Sequence, residues 1–226
     1  MSAPSAEPLT IAVNDERSVS ALLLVPSAAR ACYGLAHGAG AGMTHPFMAA
    51  VATGLAERGV ATLRYQFPYM ERGSKRPDTP KLAQATVRAA VAHAQHAVPT
   101  LALVAGGKSF GGRMTSAAAA KEPLPGVHGL VFLCFPLHPP GQPGDKRAEH
   151  LSGVQIPMLF LQGTRDDFAD LKLLKPVIKR LGKRATLHLV EGADHSFKVL
   201  KRSGRSDAEV MEELVRAISE WTEELM

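Results

Sequence analysis

Short apolar segments alternate with helical stretches along nearly the whole chain, and this alternation limits the fold more than any other feature. Residues 9–13, 19–25, 31–36, 60–65, 101–105, 130–135, 158–161 and 186–190 read as strands. Several are apolar on both faces, as strands covered by helices from both sides are. Residues 46–58, 81–96, 109–120, 169–181 and 207–225 read as helices. In the last of these Asp207 is a candidate cap, and Val210, Leu214, Ile218 and Trp221 recur at a helical period. The link 14–18 is short and polar, so the first two strands are expected to form an antiparallel hairpin at one sheet edge. The later alternation predicts an α/β domain whose mostly parallel sheet carries helices on both faces.

The chain has 226 residues, enough for one sizeable core and too few for two large domains. Residues 1–8 are expected to form a flexible tail and residues 9–226 a single domain. The one long irregular stretch, PPGQPGDKRAEHLSG at 139–153, is too short to be a domain of its own. Basic residues outnumber acidic ones, 26 to 21. The excess sits in Lys172, Lys175, Lys179, Arg180, Lys183 and Arg184, and in Lys198, Lys201, Arg202 and Arg205. No zinc finger, aromatic RNA-binding strand or basic heptad pattern accompanies them, so they read as solvated surface and no nucleic-acid partner is expected. The first ten residues, MSAPSAEPLT, lack a basic segment followed by an apolar one. No apolar run reaches about 18 residues, so neither export nor membrane insertion is expected. Cys32 and Cys134 lie inside apolar runs and read as reduced, buried thiols, which suits a cytoplasmic protein.

The segment LALVAGGKSFGGRMTSAAAA carries the sharpest chemical signal. A strand runs into Gly107, Lys108, Ser109, Phe110 and Gly111, and an Ala-rich helix follows. This is G-x-S-x-G between a strand and a helix, the setting in which it presents a nucleophile. A serine held on so sharp a turn needs small neighbours, because Cβ atoms two residues to either side would collide. A helix that starts there aims free N–H groups at developing negative charge. A phosphate loop would need glycine where Ala102 stands. The stretch HGAGAG at 37–42 is not a dinucleotide fingerprint either. Met43 replaces its third glycine, and Arg64 and Tyr65 stand where an acid is needed.

HGAGAG makes better sense as half of an oxyanion hole. Ala39 is the preferred first donor, with Gly38 and Gly40 as alternatives, and the Phe110 N–H supplies the second. A serine hydroxyl also needs a base. Of nine histidines, His195 fits best, in EGADHSF beyond the last strand. His188 lies inside that strand, His93 and His96 belong to a helix, and His37 is tied structurally to the Gly-rich turn. An acid must orient the base. LQGTRDDFAD offers Asp166, Asp167 and Asp170. Asp166 follows its strand and the Gly163 turn most directly, and Asp167 is its rival. The order Ser109, Asp166, His195 agrees with the predicted alternation.

The motifs HGAGAGMTHP, RYQFPYMERG, GGKSFGGRM, LQGTRDDF and EGADHSF span residues 37–197. Together they resemble those of small, lidless α/β-hydrolases of the dienelactone-hydrolase-like group. That bacterial group is also related to the hydrolase-like domain of a chromatin-complex subunit. The resemblance implies a three-layer α/β-hydrolase fold with an eight-stranded, mostly parallel sheet. It implies Ser109 as nucleophile, Asp166 as acid and His195 as base; the shared LQGTRD-type segment favours Asp166 over Asp167. True dienelactone hydrolases use a cysteine nucleophile, so Ser109 argues against that particular activity.

The expected function is therefore serine-dependent hydrolysis of a small carboxylic ester or thioester through an acyl-enzyme. The alternative is a non-enzymatic interaction module on the same fold, using the basic helix 171–184. No metal or organic cofactor is expected, since there is no H-E-x-x-H and the histidines do not cluster. Met43, His45, Phe67, Tyr69, Phe135 and Leu137 follow strand ends and are candidate pocket walls. Arg64 and Arg113 are candidates for a substrate carboxylate, with a structural ion pair as the competing role. Lys108 is expected to point away from the nucleophile, and Phe197 to cover His195. Only residues 137–155 are available to fold over the site. Such an open pocket predicts a gain from chain length that stops at about two to six carbons, because each methylene must be buried to contribute.

Overall fold

The computed structural model describes residues 5–226. Its single sheet is built from β1 (Glu7–Asn14), β2 (Arg17–Leu24), β3 (Ala31–Ala36), β4 (Val60–Tyr65), β5 (Ala102–Lys108), β6 (Val127–Leu133), β7 (Met158–Gly163) and β8 (Ala185–Val190). The strand order is β1-β2-β4-β3-β5-β6-β7-β8. The pairs β1–β2 and β2–β4 are antiparallel, and every later pair is parallel. Hairpin, strand count and mostly parallel sheet are as the sequence predicts. Residues 1–4 of the expected tail lie outside the described residues. Glu7 and Pro8 belong to β1, paired with Leu23 and Leu22. Proline is tolerated there because β1 is an edge strand and needs no outward donor.

Among the described residues six α-helices cover the sheet: α1 (Pro46–Ala56), α2 (Pro68–Glu71), α3 (Pro80–Ala97), α4 (Phe110–Lys121), α5 (Leu171–Leu181) and α6 (Asp207–Glu224). Met48, Val51 and Leu55 of α1 join Val210, Leu214 and Ile218 of α6 in one core layer. Val87 and Ala94 of α3, Met114 of α4 and Leu174 and Val177 of α5 lie in the other. The central strands feed both layers. In β5, Leu103 and Ala105 face α3 and α4, while Val104 faces the α1/α6 layer. That division explains why these strands read as uninterrupted apolar runs.

Two local features differ from the sequence expectation. The cap of α6 is Ser206, not Asp207: the Ser206 side chain accepts from the Glu209 N–H, and Glu209 reaches back to the Ser206 N–H. This capping box satisfies two end donors at once. Within the irregular stretch, Lys146–Gly153 forms a 3₁₀ helix that packs on α4. Its buried Ala148 and Leu151 supply the reason. On α5 the lysines lie opposite the buried Leu174, Val177 and Leu181, in solvent. Cys32 and Cys134 are buried and unpaired. No helix among the described residues is long and apolar enough to cross a membrane.

Candidate active site

β5 ends at Lys108 and α4 starts at Phe110, so Ser109 alone makes the turn between them. Its backbone sits at φ 48° and ψ −110°, a conformation that costs an L-residue about 1–3 kcal/mol unless the surroundings enforce it. They do. The Ser109 N–H is bonded to the carbonyl of Leu133 in β6 at 2.9 Å. On the other side β3 is so close that a Cβ on Gly107 would lie 2.1 Å from the Ala36 carbonyl oxygen. One on Gly111 would lie 2.7 Å from the carbonyl oxygens of both Ala36 and His37. The flanking glycines are thus needed as the motif predicts, but what they make room for is the neighbouring strand.

The loops after β7 and β8 bring the other two residues to the same sheet edge. His195 Nε2 is 2.9 Å from Ser109 Oγ. His195 Nδ1 is 2.9 and 2.8 Å from the two carboxylate oxygens of Asp166. Asp167 is exposed and makes no such contact. Asp166 also accepts from the Gln162 side chain and, at 2.8 Å, from the Phe168 N–H. Burial alone raises a carboxyl pKa, yet the bonds from His195 and Phe168 and the nearby cations hold that of Asp166 below its ordinary value. A carboxylate on Nδ1 fixes the tautomer with Nδ1 protonated, which leaves Nε2 free to accept the serine proton.

The backbone amides around Ser109 are sorted by their partners. The Gly40 N–H donates to the Tyr69 hydroxyl at 2.9 Å. Among the described residues the N–H groups of Ala39 and Phe110 have no acceptor. His37 holds the same loop from below: its Nδ1 meets the Gly38 carbonyl at 2.7 Å and its Nε2 accepts from the Phe67 N–H at 3.1 Å. Burial lowers its pKa, so it is a neutral structural element, as its position in the sequence suggests. Ser109 and His195 line an open cavity of about 280 Å³, shared with Ala39, Ala41, Lys108 and Phe168.

A sequence model for the alpha/beta hydrolase domain matches residues 29–223, almost the whole chain. The chain belongs to the alpha/beta hydrolase family. Solved structures share its fold at low identity. A dienelactone hydrolase from Anabaena variabilis is 22% identical over 97% of both chains, with a TM-score of 0.78. A lidless serine hydrolase from Xanthomonas campestris is 20% identical over 96% of this chain and 95% of its own, at 0.74. The esterase domain of a Rhodothermus marinus protein is 15% identical over 96% and 97%, at 0.73.

In this alpha/beta hydrolase only one of the six predicted wall residues, His45, lines the cavity. Phe67, Tyr69, Phe135 and Leu137 do follow strand ends, but their chains turn back into the core, where each is at most 1% exposed. Phe67 and Tyr69 pack edge-on against Phe110, and Phe135 packs against Phe132 and Phe160. Met43 does not line the cavity; its N–H donates to the Gln66 side chain and its carbonyl accepts from Arg64. Arg64 and Arg113 line no cavity wall beside Ser109, and among the described residues neither has an ion-pair partner.

Two expectations about side-chain direction are corrected. Lys108 faces the cavity, and its ammonium donates to the His195 carbonyl while lying over the rings of Phe47 and Phe197. The face of β5 opposite α4 is the cavity face, and Lys108 falls on it. Phe197 stacks on Phe47 at 5.8 Å rather than covering the imidazole. Phe168 covers it instead, stacked at 4.1 Å and 28°. Phe168 lies two residues beyond Asp166, and its backbone is already bonded to that carboxylate. An aromatic residue within the acid's own turn was the signal available.

The Cys134 thiol, Asp166 and His195 offer three ligand-type atoms within 4.8 Å of one another. Burial pushes the Cys134 thiol up to about 12, so it is protonated at neutral pH. The imidazole nitrogen and the carboxylate already bond each other. The donor set suits a hydrogen-bonded relay better than a cation.

Proposed function

We propose that the protein is a serine hydrolase of small carboxylic esters or thioesters, working through an acyl-enzyme. The observation that carries this reading is the unbroken hydrogen-bonded line from Asp166 through His195 to Ser109, on the wall of an open cavity beside two unpaired amides. The Ser109 Oγ attacks the carbonyl carbon while its proton passes to His195 Nε2. The carbonyl electrons move onto oxygen, where the Ala39 and Phe110 N–H groups and the N-terminus of α4 stabilise the charge. Collapse expels the alcohol or thiol, which takes the proton from Nε2. Water then attacks the acyl-serine and gives its own proton to Nε2. Serine leaves with that proton, and the free acid is released. Asp166 stays ionised throughout, and its low pKa favours the imidazolium that forms in each half.

A fluorophosphonate tests this directly. The folded protein should label at Ser109 and hydrolyse p-nitrophenyl acetate, and Ser109→Ala should do neither. A folded wild-type protein that neither labels nor turns over would overturn the reading and favour the binding-module alternative.

A further inference from the structure

A second cavity, of about 500 Å³, adjoins the first and shares His45, Phe47 and Ser196 with it. Beyond these it runs between α1 and α6 over Ala50, Phe197, Val210, Met211 and Leu214. Val210 and Leu214 lie beneath it as core residues at most 1% exposed, and the ion pair of Lys198 with Asp207 stands on its lining. Almost every side chain between that pair and Ser196 is apolar.

We propose that this groove is a substrate subsite that holds an extended hydrocarbon arm of the ester, continuing from the carbonyl at Ser109. The proposal rests on the hydrolase reading above. Adjacency is what identifies the occupant: the groove and the nucleophile's cavity share His45, Phe47 and Ser196, so an arm leaving the reacting carbonyl past these residues reaches the groove. The boundary is also a built one. Phe47 and Phe197 stack there, Phe197 is held at φ 60°, and the Lys108 ammonium lies 5.3 Å from the Phe197 ring centre. A hydrocarbon is the matching chemistry, because Phe47, Ala50, Phe197 and Met211 line the groove with carbon and its Lys198 and Asp207 charges are already paired with each other. The gain from chain length, expected from sequence to end by about six carbons, should instead continue to about ten. The groove is half open, so each added methylene should contribute about a twofold gain, against about fourfold for full burial.

Two ester series separate the acyl arm from the alcohol arm: p-nitrophenyl esters of rising acyl length, and acetates of rising alcohol length. In one of them kcat/KM should climb about fifteenfold between six and ten carbons, at about twofold for each of four methylenes. In Ala50→Trp, which fills the groove from exposed α1, the ten-carbon to two-carbon ratio of kcat/KM should fall at least tenfold. Met211→Lys should lower it in the same direction. A ratio unchanged in both variants, or no climb beyond six carbons in either series, overturns the groove while leaving the hydrolase reading intact. Should the wild type hydrolyse no ester, the hydrolase reading fails and the groove is read separately. The Met211 ε-methyl NMR signal should then shift on titration with 1-octanol in the wild type and not in Ala50→Trp. A signal that does not move overturns the proposal.

Discussion

The Lys108 ammonium is bonded to the main-chain carbonyl of His195, so the residue before the candidate nucleophile holds the loop that carries the candidate base. A misplacement of the imidazole by even a fraction of an ångström lowers the rate of proton transfer. Lys108→Met keeps an unbranched apolar stem but removes the donor. We expect kcat to fall about tenfold while fluorophosphonate still labels Ser109, more slowly. A kcat equal to that of the wild type would show that the loop holds its place without the lysine.

Asp166 and Asp167 are separated by a single substitution at each. Asp166→Asn offers an amide to Nδ1 and favours the wrong tautomer, so kcat should drop about 10³–10⁴-fold. Asp167→Asn, on an exposed side chain, should stay within about threefold of the wild type. Steady-state kinetics on p-nitrophenyl acetate reads both, and the reverse ranking would transfer the role to Asp167.

Strain at Ser109 predicts a trade between stability and activity. Glycine accepts φ 48° and ψ −110° without the steric cost, although it loses more entropy on folding. Ser109→Gly should therefore be about 1 kcal/mol more stable than the wild type in urea, and inactive. Equal or lower stability would mean that the turn carries no net strain.

Tyr69 predicts a second, gentler effect. Its hydroxyl accepts the Gly40 N–H within the loop that supplies Ala39. Tyr69→Phe leaves that amide unpaired, which should cost about 1 kcal/mol of stability. Turnover should fall by about threefold to tenfold as the loop loosens. Urea unfolding and kcat on the same preparation check both halves.

His150 gives the chain an acid-sensitive point away from Ser109. Burial and then the charge of Arg113 bring its pKa down to about 4, and its Nε2 lies 2.8 Å from Ser116 Oγ. The unfolded chain binds this proton with a pKa near 6.5. Between those values the unfolded state holds more protons, so the His150 contribution is complete above about pH 6.5 and lost as pH falls towards 4. With its partial exposure the loss should be about 1–2 kcal/mol. The urea midpoint should drop over that window in the wild type and less in His150→Phe. The Asp166 carboxylate, with its lowered pKa, is lost only at still lower pH.

The fold was largely legible because each central strand is apolar on both faces and the long helices α3, α5 and α6 are amphipathic over several turns; the four-residue α2 is too short to carry such a pattern. Strand ends were less so. β5 continues through Gly106, Gly107 and Lys108, which are poor strand formers, because β3 and β6 supply pairing partners on both sides. Ser109, Asp166 and His195 lie next to recognisable local motifs and could be named in advance. The supports of the site could not. Lys108 reaches His195, and Tyr69 reaches Gly40, across segments far apart in the chain, and no local pattern encodes such meetings. The four predicted wall residues that turn back into the core show the same limit. A strand end locates a side chain along the sheet, but it does not say whether the chain then turns outward or back into the core.

The turn bearing Ser109 is gripped by β3 on one side and β6 on the other, two segments that meet it only once the middle of the sheet is assembled. A peptide cut from this stretch would relax to an ordinary helix start and lose the pose that presents the serine to the cavity. Covalent labelling therefore reports on three paired strands rather than on one residue. In a denaturant series it should vanish together with the central sheet and survive fraying of β1 or of the end of α6, so a single reactive probe would follow the folding of the sheet's interior.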